Sequence, residues 1–173
     1  MTDYLEEEQE ALERHEYVDG QVFAMAGASE IHEIVALNLA ASLLTHLRGK
    51  KCRVFKGGMK VHLQLNRQEL FYYPDIMVVC DPSDQQALFK EKPKVIIEVM
   101  SDYRKDHVEK LFAYQQIASL EEYLVISQEP KEPEAWLYRK DQDWAKTEGA
   151  PEGRIRLETL GFETALEDLY VME

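Results

Sequence analysis

The spacing of hydrophobic residues predicts a β-hairpin followed by a long helix in the first third of the chain. Asp19-Gly20 stands between two apolar-rich stretches, which is the strongest short-range signal for a hairpin. From Ser29 to Gly49, apolar side chains then recur every three or four positions. This spacing is typical of a helix with one apolar face, and Ser29 is a suitable residue to cap its first turn.

The middle of the chain is predicted to form the core strands. Its apolar runs are short, rich in Val and Ile, and bounded by turn residues, as in strands covered on both faces. Strand, helix and strand at its end predict a crossover that joins parallel strands. The predicted elements are residues 52–65 with a break at Gly57-Gly58, the stretch with Asp75 after the turn at 66–68, residues 95–100, a helix over about 105–118, and residues 122–126.

The two ends of the chain are more polar. Residues 3–14 are acidic and favour helix, which predicts a short surface helix anchored by Leu5 and Leu12. After residue 135 the apolar residues alternate with polar ones, which predicts antiparallel edge strands. A short helix is expected around residues 165–170.

The length and charge of the chain limit its class. A chain of 173 residues without a break in composition predicts a single domain over residues 1–173. With 20 basic and 33 acidic residues the net charge is -13, so the whole molecule repels nucleic acid when no divalent cation is present. Residues 48–60 hold six cations and no acid, and form either a local basic surface or a solvated loop and hairpin.

The cysteines and the N-terminus predict a cytoplasmic protein. Cys52 and Cys80 have neither the spacing of a metal site nor a pairing signature, which fits a reducing compartment. The acidic N-terminus does not resemble a signal peptide, and no segment approaches the roughly 20 apolar residues of a membrane span.

Two acids, one inside an apolar run and one directly before another, are the main candidates for chemistry. Glu98 lies inside Val95–Met100, the most hydrophobic run, where an ionised carboxylate needs a cation or strong hydrogen bonds. Asp75 precedes a second apolar run, so the two acids can meet at one sheet edge. If the following helix folds back over that edge, Lys110 points at both acids. Two carboxylates suit Mg²⁺, whose waters can serve as nucleophile, and a nearby ammonium suits phosphodiester hydrolysis.

Each of these residues also has a purely structural interpretation. Asp75 can cap a turn at the start of its strand, and Glu98 can form a buried ion pair, with Lys110 as one possible partner. Lys110 can instead pair with Asp106 on its own helix. His32 is more often a satisfied polar residue than a ligand, and Tyr114 packs with its hydroxyl toward the polar pocket.

Several segments together resemble the Uma-two family of restriction endonucleases in the PD-(D/E)xK nuclease superfamily. The resemblance covers residues 12 to 170 and rests on the order and spacing of the segments. They are Glu16-Tyr-Val-Asp-Gly-Gln, the helix with His32, Tyr73-Pro74-Asp75 with Ile-Met-Val-Val, Ile97-Glu98-Val-Met-Ser101, Asp106 with Glu109-Lys110, Tyr114, and Ile117-Ala-Ser-Leu-Glu-Glu-Tyr-Leu-Val.

The resemblance implies an α/β fold of mixed α+β character, with a restriction-endonuclease-like core. A mixed central sheet is flanked by helices and carries additional antiparallel strands. Asp75 and Glu98 are then the metal ligands. The superfamily places a lysine two residues after the second acid, where this chain has Met100, and a helix lysine replaces it in the family, which maps onto Lys110. Relatives commonly read Ser-Pro-Ser-Thr where this chain has Ser101-Asp102-Tyr103.

Two functions of different classes follow. The first is a DNA endonuclease that uses Mg²⁺ or Mn²⁺, with Asp75, Glu98 and Lys110 catalytic and Glu16, His32 and Tyr114 as outer members. A homodimer is then plausible, because cutting both strands needs two sites. The second is a catalytically inactive nuclease fold that acts as a regulatory or protein-binding module, which the acidic charge and Met100 favour. A weaker third is a phosphodiesterase or RNase on a small or structured substrate.

Overall fold

The computed structural model describes residues 2–100 and 106–172 and has the mixed α/β architecture that the resemblance implies. Its helices in these residues are α1 (Thr2–Glu10), α2 (Glu30–His46) and α3 (Asp106–Tyr114). Its strands are β1 (His15–Val18), β2 (Gln21–Ala24), β3 (Arg53–Lys56), β4 (Lys60–Leu65), β5 (Gln68–Tyr72), β6 (Ile76–Val79), β7 (Phe89–Lys90), β8 (Val95–Met100), β9 (Glu122–Ser127), β10 (Ala135–Arg139), β11 (Lys146–Glu148), β12 (Arg154–Leu157) and β13 (Phe162–Ala165). Short 3-10 helices lie at Lys140–Gln142, Pro151–Gly153, Glu158–Leu160 and Glu167–Tyr170.

A mixed six-stranded sheet lies at the centre, in the order β11-β10-β9-β8-β6-β3. β8 and β9 run parallel and are joined through α3, which confirms the predicted crossover. The remaining neighbours in this sheet are antiparallel, so β6 and β8 run in opposite directions side by side. The start of β6 therefore meets the end of β8 at one edge of the sheet.

A second sheet of five strands, in the order β2-β1-β5-β4-β7, carries the predicted hairpin. Val18 pairs with Gln21 around a two-residue turn. Asp19 and Gly20 both have positive φ there, 47° and 92°. Aspartate and glycine tolerate this backbone better than other residues do, which explains the choice of turn residues. β12 and β13 form a separate antiparallel pair.

Apolar side chains alternate along the central strands and fill a core on each face of the sheet. On one face, Ile97 and Leu124 belong to a buried cluster with Leu39 of α2. On the other, Ile96 belongs to a cluster with Tyr114 of α3. Burying each such side chain contributes about 1.5–3 kcal/mol. Because side chains alternate along β8, Glu98 shares its face with Ile96 and points toward α3.

Several predicted elements differ from the structure. The apolar stretch after residue 67 is two strands in different sheets, β5 and β6, because the chain changes sheet at Tyr73-Pro74-Asp75. Leu12 is fully exposed (104%) and anchors nothing, whereas Tyr4 is buried and packs on Phe71 of the second sheet. The predicted helix over about 105–118 ends at Tyr114, and the C-terminal helix is a 3-10 turn. β7 and β13 were not predicted.

A disulfide joins Cys52 to Cys80, a pair for which the sequence shows no pairing signature. Arg53 lies opposite Val79 in the antiparallel β3–β6 ladder, and the cysteines occupy the next opposed pair of positions. Disulfides are typical of oxidising compartments, so this bond removes the cysteine support for a reducing one. The cytoplasmic location stays a prediction. Within the described residues, no helix is both long and apolar enough to cross a bilayer.

Reduction of this disulfide is expected to destabilise the protein. The bond closes a loop across a sequence separation of 28 residues, and opening it increases the entropy of the unfolded chain. We expect dithiothreitol to lower the free energy of unfolding by about 3 kcal/mol in urea titrations. The Cys52→Ser/Cys80→Ser variant should have the reduced stability and no response to reductant. An unfolding curve of the wild type that does not change on reduction would contradict the expectation.

Candidate active site

The register of β6 against β8 brings Asp75 and Glu98 together. Ile76 lies opposite Ile97, so Asp75, one residue before β6, lies beside Glu98. The backbone N–H of Asp75 donates to Glu98 Oε2 at 3.3 Å. The backbone N–H of Val99 donates to Asp75 Oδ2 at 2.7 Å. The strand pairing itself therefore fixes both carboxylates.

Glu98 is the more deeply buried of the two acids, with its side chain 5% exposed against 17% for Asp75. Tyr114 of α3 donates its hydroxyl to Glu98 Oε1 at 3.0 Å. Burial raises the pKa of the Glu98 carboxyl to about 8, against the opposing effect of the Lys110 ammonium. Asp75 and Glu16 raise this pKa further, because a negative charge on Glu98 is repelled by theirs.

Lys110 extends from α3 into this group of acids. Its Nζ lies 2.8 Å from Glu16 Oε1 and 3.7 Å from Glu98 Oε1. Burial alone would lower the pKa of the ammonium, but the Glu98 and Glu16 carboxylates outweigh burial and raise the pKa above its ordinary value. Lys110 thus stays charged. Met100, at the position where the superfamily has its lysine, packs at the edge of the second core cluster.

Glu16 and His32 contact the central residues from two other elements. Glu16 lies on β1 and also accepts from the backbone N–H of Tyr73, at 3.2 Å. His32 lies in the first turn of α2, where Ser29 accepts from its backbone N–H as predicted. Its Nε2 donates to Asp75 Oδ1 at 3.0 Å, and this hydrogen bond raises the pKa of His32 against the opposing effect of burial. All six predicted residues are therefore brought to one place.

Two residues of the site were not found from the sequence. Gln128, just after β9, donates through Nε2 to His32 Nδ1 at 3.2 Å, and its Oε1 accepts from Ser29 at 2.7 Å. This bond leaves the proton of a neutral His32 on Nε2, which faces Asp75. Tyr73 donates its hydroxyl to Glu8 at 2.8 Å and accepts from buried Lys60 at 3.0 Å. Gln128 lies in a loop, where no hydrophobic pattern indicates its role. Tyr73 does carry a signal in the sequence, because it belongs to the Tyr73-Pro74-Asp75 segment that carries the family resemblance.

The charges of the site fit a divalent cation. The site has three acids, Glu16, Asp75 and Glu98. Their basic partners are one ammonium, that of Lys110, and one histidine, so negative charge is in excess when all three acids are ionised. In the part of the chain that the structure describes, no three His, Cys, Asp or Glu side chains form a ready metal-binding set. Asp75 and Glu98 fit a site with two carboxylates, which is usual for Mg²⁺ because water and substrate complete its shell.

Asp75 opens onto a cleft of about 790 Å³ that also exposes His32 and Tyr73. Glu98 lies behind Asp75 and is nearly inaccessible. A ligand in the cleft thus reaches Asp75 first. Ser101-Asp102-Tyr103, where this chain differs from the sequence common in relatives, lies outside the described residues. The side chain of Asp106, the alternative partner suggested for Lys110, is also not described.

The buried Glu98 carboxylate is expected to make stability fall with rising pH. Its pKa in the folded protein, about 8, lies above its ordinary 4.5, so between these values the folded state holds a proton that the unfolded chain has lost. In EDTA, the free energy of unfolding should therefore decrease across this interval. Glu98→Gln removes this titrating group, while Lys110 keeps its ion pair with Glu16. At pH above 8 we expect the free energy of unfolding of Glu98→Gln to exceed that of the wild type by on the order of 5 kcal/mol.

Urea titrations of the wild type and Glu98→Gln across this pH range measure the difference directly. Glu109→Gln, at an exposed position of α3, is the matched control and should keep the slope of the wild type. A stability difference between wild type and Glu98→Gln that does not change with pH would show that Glu98 does not carry the proton.

Comparison with known proteins places this chain in a family. The Uma2 (Uma-two) family model, described as a putative restriction endonuclease, matches residues 1–171. Two uncharacterised proteins of Synechocystis sp. are each 30% identical, one over 171 residues (97% of this chain, 89% of the relative) and one over 151 residues (84% of each). A crystal structure of a putative nuclease belonging to DUF820 from Anabaena variabilis superposes with a TM-score of 0.71 at 15% identity, covering 96% of both chains. The chain belongs to the Uma2 family and has the fold of that nuclease.

Proposed function

We propose that this protein is an endonuclease that hydrolyses phosphodiester bonds in DNA with Mg²⁺ or Mn²⁺. The observation that carries the proposal is the meeting of Asp75, Glu98 and Lys110 at the edge of one sheet. Their separation along the chain, and the three elements that hold them, argue against a chance surface ion pair. Membership in a family of putative restriction endonucleases supports the same chemistry.

In this proposal Asp75 and Glu98 hold the metal ion. A bound divalent cation lowers the pKa of an attacking water and offsets charge on the leaving oxygen. Asp75 keeps lone pairs for this purpose, because each carboxylate oxygen accepts more than one bond and each of its oxygens has one donor among the residues that the structure describes. His32 holds one of these oxygens in place, and Gln128 holds His32.

Lys110 is assigned to the scissile phosphate. Its ammonium is charged at neutral pH and stabilises negative charge that develops on the phosphate oxygens. Glu16 orients the ammonium at 2.8 Å, and Tyr114 orients Glu98. Both act through another residue and are positioning residues. A homodimer is part of the proposal, with one such site in each protomer and one DNA strand at each site.

One observation favours the alternative, an inactive nuclease fold that serves as a regulatory or protein-binding module. Lys110 is bonded to Glu16 and lies close to Glu98, so the cluster already has an internal counterion. Such a group can be a structural ion pair. The two functions differ in whether the acids bind a divalent cation and whether phosphodiester bonds are cut.

Asp75→Ala is expected to abolish both properties. Nicking of supercoiled plasmid in Mg²⁺ or Mn²⁺ measures cleavage, and calorimetry measures metal binding. Asp141→Ala, in an exposed turn, is the control and should behave as the wild type. Cleavage that survives Asp75→Ala would rule out the assigned site, and a wild type that binds no metal would favour the inactive module.

Lys110→Met should reduce cleavage by roughly 10²–10³-fold, because it removes one preorganised donor of transition-state stabilisation. Lys110→Arg keeps a charge and should retain part of the rate. In the Lys110→Met background, Met100→Lys places an amine on the same strand face as Glu98 and should restore cleavage in part. Full activity of Lys110→Met, with a folded circular dichroism spectrum, would exclude Lys110 from the chemistry.

A further inference from the structure

The cleft in front of Asp75 has the volume of a ligand-binding site. Its volume of about 790 Å³ lies within the range of roughly 300–1,000 Å³ that is usual for such sites. Its walls come from the α1–β1 connection, the β2–α2 connection, the first turns of α2 and the β3–β4 loop. Asp75 lines this cleft, so a phosphodiester in the cleft lies next to the first of the two candidate metal ligands.

The acids of this cleft are mostly engaged by the protein itself. Glu8 accepts from the backbone N–H of His15 and from the Tyr73 hydroxyl, at 2.8 Å each. Glu33 is bonded to Lys56, and Asp75 to His32. The cations that line the cleft are Arg14 and Lys56. An anion in the cleft therefore has these two side chains as its basic partners.

Arg14 is held beside the acids by a neutral partner. Its guanidinium donates to the carbonyl of Gly57, and the Gly57 N–H donates to the carbonyl of Asp75 at 2.8 Å. Across the described residues, no carboxylate lies within 4.0 Å of Arg14. A guanidinium has five N–H donors in a fork that matches two phosphate oxygens, and the carbonyl occupies only part of this capacity.

Lys56 lies at the end of β3, next to Gly57, and its partner is easily replaced. Glu33 is 54% exposed, and an ion pair of this kind contributes only about 0–1 kcal/mol. A phosphate that carries a full negative charge can displace Glu33 at small cost. Arg14 and Lys56 thus flank the Gly57-Gly58 loop as two anchors for phosphate, which we call the phosphate rim.

We propose that the phosphate rim binds the backbone phosphates next to the scissile one and that the cleft takes a single DNA strand, not a duplex. This inference rests on the proposed function and specifies its substrate. A flexible single strand can bend into a half-open cleft of this volume, whereas a duplex holds its phosphates on a stiff outer surface. Two cations on a molecule of net charge -13 also suit the lower charge density of one strand.

Fluorescence anisotropy of a short labelled single strand and of its matching duplex, in Ca²⁺, measures this preference. We expect tighter binding of the single strand. Arg14→Gln and Lys56→Gln should each weaken its binding several-fold and lower the slope of log affinity against log salt by about 0.7. The control is Lys92→Gln, a similarly exposed lysine whose partner is Asp81, and it should match the wild type.

Equal or tighter binding of the duplex would overturn the inference. An unchanged salt slope in both rim variants would do the same, as would an equal loss of binding in Lys92→Gln. Cleavage of the labelled single strand and nicking of supercoiled plasmid, both in Mg²⁺, separate the two proposals. If Asp75→Ala abolishes nicking while both rim variants bind and cut normally, the nuclease stands and the rim fails. If the wild type cuts no DNA but the rim variants lose single-strand binding, the rim stands and the nuclease fails.

Discussion

Desolvation of the Glu98 carboxylate is the constraint on which the site and much of its surroundings depend. β8 lies inside the central sheet, so a side chain on its α3 face has no access to water except through neighbouring polar groups. The Tyr114 hydroxyl, the Asp75 N–H and the Lys110 ammonium replace that water. Removing any of them leaves a buried carboxyl group with too few partners, which is costly. The carboxylate thereby couples α3 and β6 to β8.

The lysine on α3 changes how the site is assembled. A lysine at position 100 would be fixed by the pairing of β8 with its neighbours, as the two acids are. Lys110 instead depends on how α3 packs and on Glu16, which belongs to the other sheet. The ammonium thus joins both sheets, and a shift of the β1–β2 hairpin would move it relative to Asp75. Met100 packs against an apolar core cluster, and the ammonium of a lysine at this position would have to extend out of that cluster.

The acids were predictable because each breaks a strong pattern. Glu98 is a carboxylate within an apolar run, where such residues are rare. Asp75 comes directly before an apolar run, at the expected start of a strand. Both could therefore be predicted from the local sequence. Lys110 needed the additional step of a crossover that returns α3 over the sheet, which the β8-α3-β9 pattern supplied.

Features set by pairing between distant strands could not be predicted. Cys52 and Cys80 face each other only because β3 and β6 are antiparallel neighbours in one register, and their separation along the chain does not reveal it. β5 and β6 are both apolar, so the change of sheet at Pro74 leaves no break in hydrophobicity. Gln128 and Arg14 lie in connections, where the function of a polar residue depends on the elements packed around it.

The protein is acidic and its proposed substrate is an anion, and the positions of the charges explain how the two are compatible. The net charge of -13 is a property of the whole surface, and its effect on a strand is screened beyond about 8 Å at physiological salt. Inside the cleft, local charges decide. In the proposed chemistry, a phosphate next to Asp75 faces excess negative charge on Asp75 and on Glu98 and Glu16 behind it, unless a proton or a cation compensates it. Binding of an anion and neutralisation of the acids are therefore coupled, and each should strengthen the other.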